Sequence, residues 1–477
     1  MQTRRDQLQS YQFMMQRVVS AFAHQDTDPV QPAGRRLLGA GLAGVMVAVL
    51  GLAAVGVYAL LRPGGNTNWR DGNAIIVERE TGTRFVFRDG VLYPMANFAS
   101  AVLALESEAR TVRVAGRSML GVPRGPALGI VGAPDAVPPK DRLLGTPWTV
   151  CVQPARDDRG RPAAVTTLKV GRGAAAGREL GDDALLAEEV ATGRFFLIWH
   201  QRRYEIADPP VVFTALGLDQ QPRTTVSAAL LDTLPSGPRL APRRVERRGS
   251  PSTVVAGARI GQVYVVESAG AQRQYLLVAD GRRFAVVTEV EANLLLADPA
   301  TRAAYPGGTP RARPLSPADA AAAEKRPATA LGADAPPATP PRIVAPSSAD
   351  AVVSATCAEF RDAVNPPRIV VDVPADQVGP VGSAPRGSAG GVPLADRVEV
   401  APGWAAVVAA MPSAEAPSGT RYLVTDLGVR HALSDPRVQG YLGYGAVEPV
   451  ALPAALVARV PVGPPLDPVA ARRPVVG

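Results

Sequence analysis

A chain of 477 residues with 47% hydrophobic and 20% charged side chains can bury a sizeable core, which excludes global disorder. Its 46 glycines and 47 prolines argue against a helical bundle and for turn-rich β structure with irregular connections. The formal charge of +8 is spread along the chain without a dense basic block, unlike a nucleic-acid surface, and only Lys140, Lys169 and Lys325 could serve a lysine-based phosphate site.

Near the start, Leu8, Tyr11, Met15, Val18, Val19 and Phe22 recur at spacings of three and four, one face of a helix, until Asp26-Thr27-Asp28-Pro29 stops the pattern. A 36-residue tail has no core for this stripe to cover, so it is expected to dock on a partner protein, with the membrane surface as the alternative. From Leu37 to Leu61 there are 25 residues without a charge. As a helix they reach about 37 Å, enough to cross a bilayer. A cleaved signal peptide would not have 36 residues ahead of it. Arg35 and Arg36 precede the run and Arg62 follows it, which favours a cytoplasmic N-terminus and an extracytoplasmic bulk in the cell membrane.

Beyond the membrane run one pattern recurs: an apolar strand, a polar turn, a second strand carrying an aromatic or His, then an apolar helical stretch. Its copies are Arg84 to Leu105, Phe195 to Leu218, Gln274 to Leu296, and Arg421 to Tyr444. Asp89-Gly90 and Asp280-Gly281 read as hairpin turns in which glycine supplies a positive φ. One such unit cannot bury its apolar face alone, so copies must pack together or on a common core. Strand-like segments at 146–151, 165–170, 351–357 and 368–371 suggest that core, a central β domain. The expected fold class is α+β, β-rich: a single N-terminal transmembrane helix, then an elongated extracytoplasmic domain of four ββα-type repeats around a central β domain. The expected division is a cytoplasmic helix (1–36), membrane helix (37–61), repeat 1 (62–115), central domain (116–180 and 351–400), repeat 2 (181–245), repeat 3 (246–302), and repeat 4 with the tail (401–477). The Ala/Pro-rich stretch 303–350 is expected as an extended, partly disordered surface insertion, and Val381 to Val392 as a loop.

The two cysteines, Cys151 and Cys357, both follow the membrane run. An even pair in an oxidising space is expected to join, clipping the two halves of the central domain. A search for chemistry is negative. There is no G-x-x-x-x-G-K-[ST], no G-x-S-x-G and no H-E-x-x-H. His24, His200 and His431 read as core or surface residues. The acid pairs Asp157-Asp158, Asp182-Asp183 and Glu188-Glu189 read as solvated faces, and Trp148 and Trp404 as core or interface aromatics. No catalytic residue, cofactor or metal is expected.

The chain resembles EccB, the single-pass core component of the type VII (ESX) secretion system. The resemblance starts with Thr3-Arg4-Arg5-Asp6-Gln7-Leu8-Gln9-Ser10-Tyr11-Gln12-Phe13 and continues through Arg88-Asp89-Gly90-Val91-Leu92-Tyr93-Pro94 and Trp148-x-Val-Cys151. It extends over Val226-Ser227-Ala228-Ala229-Leu230-Leu231 with Leu234 to Pro238, then Tyr422 to Arg430, Leu442-Gly443-Tyr444-Gly445, and Pro461 to Pro468. Two departures concern local geometry: His200-Gln201 stands where the family has Asp-Gly, and the stretch after Pro299 is long. The resemblance implies a membrane-embedded export complex with an EccC-type ATPase, EccD and EccE as neighbours, and self-association of the outer domains. The expected function is a non-catalytic scaffold of that complex. A membrane-anchored wall-binding module and, more remotely, an extracytoplasmic ATPase are the alternatives.

Overall fold

The computed structural model describes residues 3–25, 34–61, 68–157, 159–174, 176–268, 270, 272–326, 332–345, 354–378 and 388–475. They fall into two compact units, residues 1–92 with 111–124, and residues 93–110 with 125–477.

The first unit opens with the helices Arg4–His24 and Gly34–Leu61. Thr3 starts the former, its N–H and hydroxyl both donating to the Asp6 carboxylate, at 3.0 and 2.7 Å. The helix ends at Gln25, whose φ of 54° is left-handed; Asp26 to Pro29 lie outside the described residues. In the same unit Ala74–Glu78 pairs antiparallel with Arg84–Arg88, with Ile76 opposite Phe85. Asp89 and Gly90, at φ 52° and 80°, make the two-residue turn to the next strand, Val91–Pro94. Trp69, Ile76, Phe85, Leu92, Val114 and Met119 form this unit's core.

The second unit is organised around a six-stranded sheet ordered Arg397–Glu399, Pro162–Lys169, Trp148–Arg156, Ser354–Phe360, Arg368–Pro374 and Arg178–Glu179. Two sheets share one apolar core with it. Leu185, Phe196, Ile198 and Val226 come from the sheet of residues 184–226, and Val408, Val424 and Leu452 from that of residues 405–453. A third sheet, residues 263–326, connects through its helix: Glu289–Ala297 packs on Pro209–Leu216, burying Val290 and Leu294 beside Val212 and Phe213. Helix Phe98–Leu105 packs likewise on Pro436–Tyr441 and Pro468–Ala471.

The structural unit is larger than the hairpin-plus-helix expected. The order third, second, first, fourth recurs in four sheets, one of which, that of residues 263–326, carries a fifth strand beside its third, so a strand precedes the hairpin and another follows the helix. That last strand runs parallel to the first where the pairing is Arg223–Val226 on Ala184–Glu189, Arg313–Pro314 on Val263–Glu267, and Val450–Pro453 on Ala405–Met411. Turn chemistry also differs. Asp280 makes its turn by accepting the N–H groups of Arg282 and Arg283 at 2.9 Å, and Gly281 has no positive φ. His200 and Gln201, at φ 44° and 60°, hold a two-residue left-handed turn without glycine.

Of the stretch 303–350, expected as an extended, partly disordered insertion, residues 303–326 and 332–345 are described, and parts of them pair with the sheets. Arg313–Pro314 and Lys325–Arg326 edge the third sheet on both sides, with helix Pro317–Ala322 between them. Farther on, Ala184 donates to the Arg342 carbonyl at 2.9 Å, Val344 to that of Ala184 at 2.9 Å, and the Tyr204 hydroxyl to that of Ala335 at 2.8 Å. Prolines hold the chain extended with no N–H to satisfy, so laying such a run along an edge costs little further entropy. Residues 351–353 and most of the 381–392 loop lie outside the described residues, although Ser388–Ala389 pairs with Val392–Pro393.

One recurring element escaped the sequence reading. Pro123-Arg124-Gly125-Pro126-Ala127-Leu128, Pro235-Ser236-Gly237-Pro238-Arg239-Leu240 and Pro461-Val462-Gly463-Pro464-Pro465-Leu466 share the pattern Pro-x-Gly-Pro-x-Leu. Each is a strap along the third strand of its sheet. The first proline's carbonyl accepts from Leu92, Arg203 and Arg430 at 2.9, 3.0 and 2.9 Å, and the leucine N–H donates to Pro94, Glu205 and Ala432 at 2.8, 2.8 and 2.7 Å. Each glycine lies against a ring: a Cβ there would come 2.4 Å from Tyr93, 2.1 Å from Tyr204 and 2.4 Å from His431. The strap thereby covers a strand edge that would otherwise be open to pairing with another chain.

Candidate functional site

On Arg4–His24 the sequence-predicted stripe is bare: Leu8, Tyr11, Met15, Val18, Val19 and Phe22 are between 47% and 90% exposed. Phe13 and Met14 are exposed as well, and Arg17 lies over the Phe13 ring at 5.0 Å. Hydrogen bonds from Thr3 hold the Asp6 carboxyl below its ordinary value, keeping this first-turn carboxylate ionised beside the helix N-terminus. In the following helix Leu38–Tyr58 is long and apolar enough to cross a membrane, and none of it is buried.

In the second unit Cys151 and Cys357 stand directly opposite each other on neighbouring antiparallel strands, with Cα atoms 4.0 Å apart, and form a disulfide. Trp148, Val150 and Val152 face the shared core, so the two-residue period of the strand turns Cys151 to the other face, beside Ala355, Val370, Val373 and Val378.

The histidines do not converge. His24 is the last residue of its helix. His200 stacks on Trp199 at 3.7 Å and shares a hydrogen bond with Asp182 at 2.9 Å. His431 is buried, its Nδ1 3.0 Å from the Pro464 carbonyl, and burial pushes its pKa below the ordinary value. No group of three or more His, Cys, Asp or Glu able to hold a metal occurs among the described residues.

Two acid pairs are not the solvated faces expected. Glu189 is buried and accepts two hydrogen bonds from Arg194, at 3.0 and 2.8 Å. Asp183 is gripped by Arg342 at 2.8 and 2.7 Å with Arg178 at 3.2 Å, and the Arg342 bonds foremost hold its carboxyl below the usual range. Asp157 accepts from Arg161 at 2.8 Å, and Asp158 is outside the described residues. Trp148 is fully buried and Trp404 packs against the same core.

The buried Arg459 pairs with Asp232 at 3.6 Å and Arg203 donates to the same carboxylate at 2.7 Å, so the segments that follow the sheets of residues 184–226 and 405–453 are tied by charge as well as by apolar packing. Burial pushes the Arg459 pKa down, which Asp232 opposes. Tyr444, from the Leu442-Gly443-Tyr444-Gly445 motif, is buried and donates to the Pro138 carbonyl at 2.5 Å beside a cavity of about 640 Å³. The arrangement thus provides an amphipathic helix with a bare apolar stripe, a bare membrane-length apolar helix, and a disulfide-linked central sheet.

Residues 1–474 match the family model described as type VII secretion system ESX-1, transport TM domain B. The ESX-2 secretion system ATPase EccB2 of Mycobacterium tuberculosis is 33% identical over 288 residues, 58% of this chain and 56% of that one, so the chain spans about half the length of this relative. The ESX-3 secretion system ATPase EccB3 of Mycolicibacterium smegmatis is 28% identical over 497 residues, 97% of this chain and 89% of that one. Among solved structures, a chain of an intact ESX-5 inner membrane complex is similar with a TM-score of 0.63 at 26% identity, covering 100% of this chain and 96% of its own. A chain of the periplasmic assembly from an ESX-5 inner membrane complex has a TM-score of 0.62 at 26% identity, covering 88% and 99%.

Proposed function

The chain belongs to the EccB family of type VII secretion proteins, and from that premise we propose that it is a non-catalytic structural subunit of an inner-membrane secretion complex. In this reading Leu38–Tyr58 crosses the membrane once, the residues before it are cytoplasmic and the bulk is extracytoplasmic. The stripe Leu8, Tyr11, Met15, Val18, Val19 and Phe22 docks on cytoplasmic faces of an EccC-type ATPase, EccD and EccE, while the outer bodies of several copies associate. Each body comprises four copies of one repeat module together with the central sheet. The observation that carries the proposal is the likeness over the whole length to a chain of an ESX-5 inner membrane complex. The bare stripe on Arg4–His24 supports the docking role, because exposing that much apolar surface is unfavourable without a partner.

The test is deletion of residues 1–30 followed by purification of the detergent-solubilised complex. The EccC-type, EccD and EccE subunits should be lost; a complex of unchanged composition would refute the docking role. Protease added to spheroplasts should digest the bulk of the chain, and resistance there with sensitivity in lysates would reverse the topology.

A second reading, ATP hydrolysis, is favoured by the names of the relatives, which call them secretion system ATPases. The sequence has no phosphate-binding G-x-x-x-x-G-K-[ST], and Lys169, one of its three lysines, donates to the Gln377 carbonyl. ATP turnover by the purified chain that disappears on unfolding would replace the scaffold reading.

A further inference from the structure

A cavity of about 780 Å³ opens beside the third sheet, lined by Arg259, Arg311 and Arg313 with Gln262, Tyr305, Thr309 and the Gly307-Gly308 turn. Among the described residues that line it there is no Asp or Glu, and none of the three arginines takes part in an ion pair. Elsewhere in the chain the arginines are commonly matched, as Arg194 is by Glu189 and Arg342 by Asp183. Here three positive charges face one space without a counter-charge.

The wall holds them in position. The buried Gln262 uses its Oε1 to accept from the Arg259 N–H at 3.0 Å and from Arg313 Nη1 at 3.2 Å, and its Nε2 donates to the Ala304 carbonyl at 2.9 Å. Arg259 Nη1 donates to the Gly249 carbonyl at 2.9 Å, and Arg313 lies over the Tyr264 ring at 5.6 Å. Tyr305, also lining the cavity, accepts the Val263 N–H at 2.8 Å, and burial raises its pKa, so it stays neutral. Gly307, at φ 77°, turns the backbone where a side chain would be strained. Guanidinium groups present planar forks of donors that match the paired oxygens of a carboxylate or phosphate. The volume lies within the range of small-molecule sites.

We propose that this cavity binds the oxyanion of an acidic sugar-sized ligand, with Arg259 and Arg313 as fixed contacts and the exposed Arg311 closing on it. The site does not depend on which side of the membrane the body occupies.

The experiment is calorimetric titration of the detergent-solubilised full-length chain with glucose 6-phosphate, glucuronate and glucose. At least one acidic sugar should bind at least ten-fold more tightly than glucose, and the affinity should fall with added salt. Binding of the phosphate sugar alone or the uronate alone identifies the source of the oxyanion. Arg311→Glu should weaken the acidic sugars at least ten-fold, and Arg311→Lys less, with melting unchanged because Arg311 holds no other element in place. Equal affinity for glucose, no binding of either acidic sugar, or Arg311→Glu binding like the parent would each overturn the proposal.

Discussion

Replacing Gly237 by alanine tests the strap directly. The added methyl would lie 2.1, 2.5 and 2.9 Å from three ring atoms of Tyr204, against an ordinary carbon–carbon separation of about 3.5–4.0 Å. Tyr204 is fully buried and its hydroxyl donates to the Ala335 carbonyl at 2.8 Å, so the ring cannot retreat without giving up that bond. Overpacking of this kind costs about 1–3 kcal/mol, and a lost hydrogen bond about 1 kcal/mol more. The expected destabilisation is therefore about 2–4 kcal/mol, a fall in Tm of about 3–5 °C on the per-residue unfolding entropy of a unit of about 370 residues. Gly237 has no positive φ, so the effect is steric. Gly281→Ala, in open space with no positive φ, is the control and should stay within about 0.5 kcal/mol of the parent. Thermal melts of the solubilised chain, repeated in a Tyr204→Leu background, complete a cycle whose coupling should exceed about 1 kcal/mol. If Gly237→Ala melts with the parent, or its cost adds in full to that of Tyr204→Leu, the close approach is not what selects glycine there.

His431 occupies the ring position that Tyr93 and Tyr204 fill in the other straps. Burial lowers its pKa in the folded state, so the unfolded chain binds the proton more readily. Its influence is absent well above the ordinary value of 6.5, and stability is lost as pH falls through 6.5 towards the folded pKa. His431→Phe should remove that loss from melts measured between about pH 7 and 5, and an identical pH profile in both proteins would refute the assignment. The Cys151–Cys357 bond spans 206 residues, for which the chain-entropy relation gives about 5 kcal/mol. Cys151→Ser with Cys357→Ser should lower the denaturant midpoint accordingly. Alkylation of the unfolded, unreduced chain should add no mass, and two adducts would disprove the bond. Asn97 caps helix Phe98–Leu105 through Ser100 N–H at 2.9 Å and donates to the Ile130 carbonyl at 2.7 Å while buried. Asn97→Ala should cost about 2–3 kcal/mol in the same denaturant assay, and a loss below about 0.5 kcal/mol would show that neither bond matters.

Legibility along the chain followed the range of the interactions involved. The hairpins were readable because alternation and turn residues act over a few positions, and Asp89-Gly90 carries its left-handed preference within the dipeptide. The first and last strands of each module were not, since a parallel strand such as Val450–Pro453 pairs with Ala405–Met411 across a whole hairpin and helix and leaves no local period. Glu189 and Asp183 looked solvated because acidic doublets normally are; Arg194 folds back across the hairpin turn five residues on, and Arg342 comes from a remote segment. The straps could have been found by setting the three Pro-x-Gly-Pro-x-Leu segments side by side. The reason for their glycine, an aromatic ring or His about 30 residues earlier, is visible only in the packing.

Composition and short-range pattern alone determined the membrane-length apolar run, the amphipathic helix before it, the recurrence of hairpins and helices, and the pairing of two cysteines where no other partner existed. Each rests on hydrophobicity, periodicity or simple count, which survive without coordinates. Tertiary structure decided that the Ala/Pro stretch closes sheet edges, that helices from different modules pack in pairs, and that three arginines share one cavity without an acid. Those outcomes depend on which distant segments meet, and backbone edges and charges become informative only once their neighbours in space are known.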